Sequence, residues 1–174
     1  MKPFKTVLVR RKPGNPCQAL VQIGPHVFPA ALGRSGIGIH KLEGDGKTPR
    51  ASMPLLYGFQ RGERVGNLSS RLPMKRIGDR MLWCDAPEDP NYNQLVKAPF
   101  APSHEKMRRN DTLYDICLVL DWNISTRARK RGSAIFFHLA RPGYLPTEGC
   151  IAISRKDMMR LVRFVEKGTV VKVM

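Results

Sequence analysis

Gly132-Ser133-Ala134-Ile135-Phe136-Phe137-His138 and Pro146-Thr147-Glu148-Gly149-Cys150-Ile151-Ala152-Ile153 are the two stretches from which the architecture of this chain reads most directly. Each is a short apolar, β-prone run, and each carries one chemically active side chain at its edge. His138 closes the first run and Cys150 opens the second, with a glycine in front of it. The 11 residues between them, 139–149, include Arg141-Pro142-Gly143-Tyr144-Leu145-Pro146, which reads as a loop. Two neighbouring strands with such a connection bring the imidazole and the thiol together. A free thiol has a pKa of about 8.5, so little of it is thiolate at neutral pH. A neighbouring imidazole that accepts its proton makes it a nucleophile. Gly149 leaves room beside an attacked carbonyl, and the amides of Gly149 and Cys150 are candidate donors to the developing oxyanion. Spacing alone favours a buried core cysteine beside a satisfied strand histidine.

Working outward, residues 6–9, 17–23 and 26–32 read as three opening strands of a meander, separated by Pro13-Gly14-Asn15-Pro16 and Gly24-Pro25. Residues 114–121 and 132–139 read as buried strands, 149–153 as a short one and 169–173 as the last. Ser154 and Asp157 form a capping box for a helix with the stripe Met158, Met159, Leu161, Val162 and Val165, ending near Gly168. Residues 33–110 are rich in Gly, Pro and charge, and read as long loops framing a cleft, with a short helix at 103–109. The class predicted is mainly β, a sandwich or barrel-like fold with one or two short helices and long loops. The 174 residues suit a single catalytic domain over 1–174.

The chain carries 30 basic and 14 acidic residues, a formal charge of +16, and so favours anionic partners. Its basic residues are scattered, with clusters at Arg10-Arg11-Lys12, Arg108-Arg109 and Arg127-Ala128-Arg129-Lys130-Arg131. No apolar run reaches the roughly 18 residues of a membrane helix. The N-terminus, Met1-Lys2-Pro3-Phe4-Lys5-Thr6-Val7-Leu8-Val9-Arg10, meets arginine too soon for a cleavable secretory signal, so either the native protein carries none or this sequence begins after it. Cys17, Cys84, Cys117 and Cys150 form no CxxC pair, and His26, His40, His104 and His138 do not stand at zinc-finger spacing to them. A structural metal is not expected.

The histidine after an apolar strand, followed by Thr147-x-Gly149-Cys150, resembles the signature of the L,D-transpeptidase (YkuD-type) catalytic-domain family. Two further stretches resemble it in order along the chain. One is Ala31-Leu32-Gly33-Arg34-Ser35-Gly36 with Lys41-Leu42-Glu43-Gly44-Asp45-Gly46-Lys47-Thr48-Pro49; the other is Trp83-Cys84-Asp85-Ala86-Pro87 with Tyr92-Asn93, similar to a branch often lacking an obvious signal peptide. The resemblance implies a β-rich fold without metal or cofactor, Cys150 as nucleophile and His138 as base. It also implies peptidoglycan stem peptides as partners, an envelope or periplasmic location, and no nucleic acid. The donor stem opens after a first-position L-alanine or a third-position diaminopimelate, and a diaminopimelate amine of another stem receives the acyl group. Water as acceptor makes the same pair a peptidase or amidase. A third possibility is a non-catalytic basic module for wall polymer or nucleic acid.

Two positions depart from the pattern. Glu148 stands where the family commonly has histidine, and Ala152 where it often has arginine. Glu148 is thus a candidate to orient His138, and Arg141 or Arg155 to take over a substrate carboxylate. Thr147, Asp85, Tyr92 and Asn93 complete the candidate substrate-binding set.

Overall fold

The computed structural model describes residues 2–174; Met1, with which the N-terminal reading begins, lies outside them. In chain order the strands are β1 (Thr6–Arg11), β2 (Gln18–Ile23), β3 (His26–Ala31), β4 (Ile37–Gly38), β5 (Thr48–Pro49) and β6 (Ser52–Gln60). They continue with β7 (Met74–Arg76), β8 (Met81–Cys84), β9 (Gln94–Lys97), β10 (His104–Lys106), β11 (Ile116–Leu120), β12 (Phe136–Leu139), β13 (Ile151–Ile153) and β14 (Val170–Val173). Two short helices, α1 (Gly62–Val65) and α2 (Arg155–Leu161), and a 3-10 turn at Pro142–Tyr144 complete the described elements.

The main sheet runs β11-β12-β13-β3-β2-β1-β14-β6-β7, and β6 also pairs with β11, so the sheet closes on itself as a barrel. Closure pairs most of the edge that a sheet of this width would otherwise expose, leaving the short β7 as an outer strand on β6. Strands β1 to β3 alternate, placing Val7, Val9, Val21, Ile23 and Phe28 inside. Strand β11 does not alternate, because both its faces are covered. Its Ile116, Leu118 and Leu120 join the barrel interior; its Cys117 and Val119 face a second cluster with Phe59, Trp83, Met107, Tyr114, Phe136 and Cys150. The three-stranded sheet β10-β8-β9 contributes Trp83 to that second cluster. In α2, Ser154 caps as the capping box predicts, its hydroxyl accepting from the Asp157 N–H at 3.1 Å. Met158, Leu161, Val162 and Val165 are fully buried in the interior, whereas Met159 faces outward.

The mainly β prediction agrees with this architecture, but the middle of the chain differs from its reading. Residues 33–110 hold seven strands and one helix instead of long loops alone. The nine-residue β6 is the largest omission. Pro54 and Gly58 inside it are strand-breaking signals. Here the Pro54 carbonyl accepts from the Asp121 N–H at 2.8 Å, and Gly58 leaves the room that Met74 fills: a Cβ on it would lie 2.5 Å from the Met74 sulfur. The helix expected at 103–109 is a strand, β10, because His104, Glu105 and Lys106 find ladder partners in Cys84, Trp83 and Leu82. The strand expected at 132–139 starts only at Phe136, since Gly132 and Ala134 adopt left-handed φ of 90° and 49°. The four cysteines are free, and no helix among the described residues is long and apolar enough to cross a membrane.

Backbone packing at three glycines ties the early motif to the late one. A Cβ on Gly33 would meet the Gly46 carbonyl oxygen at 2.1 Å and Gly149 Cα at 3.0 Å. The chain just past β3 also grips the segment before Cys150: Thr147 N–H donates to Leu32 O at 2.9 Å, and Arg34 N–H to Thr147 O at 2.8 Å. Gly33→Ala is therefore expected to cost about 3 kcal/mol by overpacking against backbone that cannot rotate away. For a chain of this size that is a fall in Tm of roughly 6–12 °C. Gly78→Ala, whose Cβ meets nothing nearer than the Met81 sulfur at 3.8 Å, should stay within about 0.5 kcal/mol of the parent. Equal Tm values for the two variants in thermal unfolding would contradict the packing described.

Candidate active site

Strands β12 and β13 run parallel, with Phe137 opposite Ile151 and His138 opposite Ala152. Side chains alternate along each strand, so Phe137, Leu139, Ile151 and Ile153 fill the barrel interior. Phe136 and His138 on one strand, and Cys150 and Ala152 on the other, face the opposite way. His138 and Cys150 thus share one face, a diagonal step apart across the ladder, and both line one cleft of about 560 Å³.

The thiol is nearly buried, at 8% exposure. Its Sγ accepts from the Phe136 N–H at 3.3 Å and donates to the Ala134 carbonyl at 3.2 Å. Burial pushes the Cys150 thiol up to about 12; the Glu105 carboxylate adds to the rise, and the Phe136 amide, Lys41 and Arg109 oppose it. The His138 ring is held by Nδ1, which lies 2.9 Å from the Leu139 carbonyl. A carbonyl only accepts, so Nδ1 carries the proton and the lone pair of the neutral ring sits on Nε2. Burial lowers the His138 pKa to about 4; the Leu139 hydrogen bond acts against this, and the cations Arg109 and Arg141 add to the lowering. At neutral pH the two groups therefore rest as thiol and neutral imidazole, not as an ion pair.

The turn before Cys150 is fixed by Thr147. Its hydroxyl donates to the Cys150 carbonyl at 2.6 Å and accepts from the Gly149 N–H at 3.2 Å. That amide, which sequence reading assigned to the oxyanion, is engaged within the turn. Gly149 itself has φ of 136°, and a Cβ there would meet the Lys47 carbonyl at 2.9 Å. The loop below it is held by Asp45, whose carboxylate accepts from Lys41 Nζ at 2.5 Å and from the Leu42 and Lys47 amides at 2.8 and 2.9 Å. Burial alone would raise the Asp45 pKa, but these bonds outweigh it and hold the carboxyl below its ordinary value.

Of the other predicted residues, Asp85, Arg141, Thr147 and Glu148 line the cleft with the pair. Glu148 is not turned to His138: it is largely exposed and pairs with Arg34 at 2.8 Å. Arg155 is committed to the buried Asp115 at 3.0 Å, whereas Arg141 is exposed at the cleft. Tyr92 and Asn93 stand behind the cleft wall. Tyr92 donates its hydroxyl to Glu43, and burial raises its pKa above the ordinary phenol value. Asn93 is wholly buried with a left-handed φ of 57°; its Oδ1 accepts from Trp83 Nε1 and from the Ala134 N–H, both at 3.0 Å. It thereby fixes the same Ala134 whose carbonyl receives the thiol.

The opposite wall holds Glu105 and Arg109, which the sequence did not single out, and Tyr114, which opens a buried strand and reads as a packing residue. Tyr114 packs its ring edge-on to His138, with centroids 5.3 Å apart, and donates its hydroxyl to Glu105 at 2.6 Å. Burial raises the pKa of both Glu105 and Tyr114. The Arg109 guanidinium lies over the Tyr114 ring at 5.2 Å and pairs with Asp111 at 2.7 Å. Glu105 and Arg109 fall in the stretch read as a helix, so nothing in the sequence aimed them at the cleft.

A buried thiol and a neutral imidazole thus line one cleft on a closed β-barrel. Residues 20–173 match the family model of the YkuD L,D-transpeptidase catalytic domain, and the chain belongs to that family. No curated protein and no solved structure gives a match. Members of the family are generally cysteine-dependent, and a peptidoglycan-related substrate follows from membership.

The protonation states lead to a test. Because the Cys150 pKa is raised, the thiol stays protonated at pH 7 and ionises only as pH climbs toward about 12. Alkylation of Cys150 by iodoacetamide, followed by peptide mapping, should be slow at neutral pH and still rising at pH of about 9.5. A rate that reaches its plateau below pH of about 8 would mean a stabilised thiolate and contradict the neutral pair.

Proposed function

We propose that residues 1–174 form one catalytic domain of a peptidoglycan L,D-transpeptidase of the cell envelope, with Cys150 as nucleophile and His138 as general base. The observation that carries the reading is the shared face of β12 and β13, which gives one cleft a thiol and an imidazole whose Nε2 is free to accept a proton. On binding a donor stem, Cys150 turns its proton from the Ala134 carbonyl to Nε2 as Sγ attacks the stem carbonyl. The resulting oxyanion is received by the Cys150 amide, the Gly149 amide being bonded to Thr147. His138 then gives the proton to the leaving amine; the C–N bond breaks and a thioester remains. The amine of a second stem attacks the thioester, passing its proton through His138 back to the departing sulfur.

The neutral resting pair suits this sequence, since proton transfer occurs only when a carbonyl is present to take the electrons. Arg141, exposed at the cleft, binds a donor carboxylate in place of the arginine that Ala152 lacks. The donor opens after first-position L-alanine or third-position diaminopimelate. Water in place of the amine turns the same cycle into hydrolysis.

Cys150→Ala should abolish turnover while leaving the fold intact, and Cys17→Ala, Cys84→Ala and Cys117→Ala should keep most of the activity. His138→Ala should lose ~10²–10⁴-fold, the usual contribution of general acid–base catalysis. Defined stem peptides, with products read by mass, separate the outcomes: a dimer means transfer, and shortened monomer alone means hydrolysis. Full activity in Cys150→Ala, or a His138→Ala variant within about twofold of the parent, would overturn the assignment.

A further inference from the structure

Residues 123–132 form a basic spur at the rim of the cleft. Residues 125–131 are all exposed, and four of the five at 127–131 are Arg or Lys. A run of charge that only solvates a surface needs no fixed backbone, but this one has it. Asn123 Oδ1 accepts from Thr126 Oγ1 at 2.8 Å and from the Ala128 N–H at 2.7 Å. Its Nδ2 donates to the Ala128 carbonyl at 2.8 Å and to the Gly132 carbonyl at 3.0 Å, binding the loop's tip to its base. Trp122 Nε1 donates to the Arg131 carbonyl at 3.0 Å. Asn123, Arg127 and Lys130 all take left-handed φ, of 54°, 47° and 64°. For long side chains that conformation is unfavourable, and it persists where surrounding bonds impose it.

The spur is continuous with the cleft. The Glu43 N–H donates to the Lys130 carbonyl at 3.0 Å, and Glu43 lines the cleft. Ser133 and Ala134, the next residues along the chain, line it too. Within the spur the cations divide. Arg129 and Lys130 share Glu88, at 3.1 and 3.3 Å. Arg127 and Arg131 make no ion pair among the described residues, and their guanidinium groups point the spur's charge to solvent.

We infer that this spur is a docking surface for the anionic wall polymer, with Arg127 and Arg131 binding carboxylates on stem peptides neighbouring the one in the cleft. The inference rests on the peptidoglycan reading above. Stem peptides carry free carboxylates at repeated intervals along the polymer, and a guanidinium recognises a carboxylate through two parallel hydrogen bonds. A fixed spur at the rim holds the polymer while one stem occupies the cleft. A soluble stem has no neighbour for the spur to grip. The spur therefore affects work on the polymer and not the chemistry on an isolated stem.

The test uses the full chain and the double variant Arg127→Gln with Arg131→Gln, which leaves the Glu88 pairs in place. Its retention on purified sacculi at low salt should fall roughly three- to tenfold, the range for two exposed ionic contacts. The salt dependence of binding should flatten with it. The rate at which a soluble stem peptide acylates Cys150 should not change, and equal Tm values control for folding. Sacculi whose stem carboxylates have been amidated should hold parent and variant equally. Unchanged retention of the variant on native sacculi, or slowed acylation by the soluble stem, would overturn the inference. So would tighter binding to duplex DNA than to sacculi that the variant loses. A parent protein that no stem peptide acylates would instead fail the catalytic reading, a result distinct from any of these.

Discussion

The parallel register of β12 and β13 is the constraint on which the site depends. With Phe137 opposite Ile151, the period of two sends four apolar side chains into the barrel and leaves His138 and Cys150 together on the other face. A slip of one residue in either strand would reverse its faces, burying one of the pair among Val and Leu side chains. The register is held from outside the two strands. Thr147 is bound by backbone on both sides to Leu32 and Arg34, and Gly33 lies against Gly46 and Gly149 so closely that no Cβ fits. The glycine-rich motif at residues 31–49 therefore builds the underside of the cysteine turn, and its own residues need not touch a substrate to matter.

The same burial that fixes the pair sets its chemistry. A thiol and an imidazole withdrawn from water both favour their neutral forms. His138 has no carboxylate on Nδ1, only the Leu139 carbonyl, and the pull of the Asp111 carboxylate toward an imidazolium is outweighed by burial. The nearby cations Arg109 and Arg141 act in the same direction. Tyr114, packed against the ring and tied to Glu105, limits the tilt of the imidazole from the opposite wall.

Much of this was legible in the sequence, for identifiable reasons. The opening meander, the late strands and α2 carry strong local signals: alternation in β1 to β3, an apolar run in β11, and Ser154 with Asp157 as a cap. Cys150 and His138, at the edges of two apolar runs, were singled out by the resemblance of their segment to the family signature and not by spacing alone. What escaped was set by partners distant in the chain. β6 contains Pro54 and Gly58, which read as breakers and are tolerated only because Asp121 and Met74 meet them. β10 has too little pattern of its own and exists through β8. Asn93 and Tyr92 looked like ligands for a substrate because polar residues in a loop usually face water, yet tertiary contacts turn both toward the protein. Glu105 and Arg109 were missed because their place in the cleft follows from that same unrecognised strand.

The central claim is that one sulfur, out of four, carries a covalent acyl intermediate. The most direct measurement is to quench the protein during reaction with defined stem peptides and map the thioester by mass spectrometry of proteolytic fragments. The account predicts an acyl group of donor mass on the fragment containing Cys150, with Cys17, Cys84 and Cys117 unmodified. An adduct on any other cysteine, or turnover of the stem peptides with no adduct on Cys150, would contradict it.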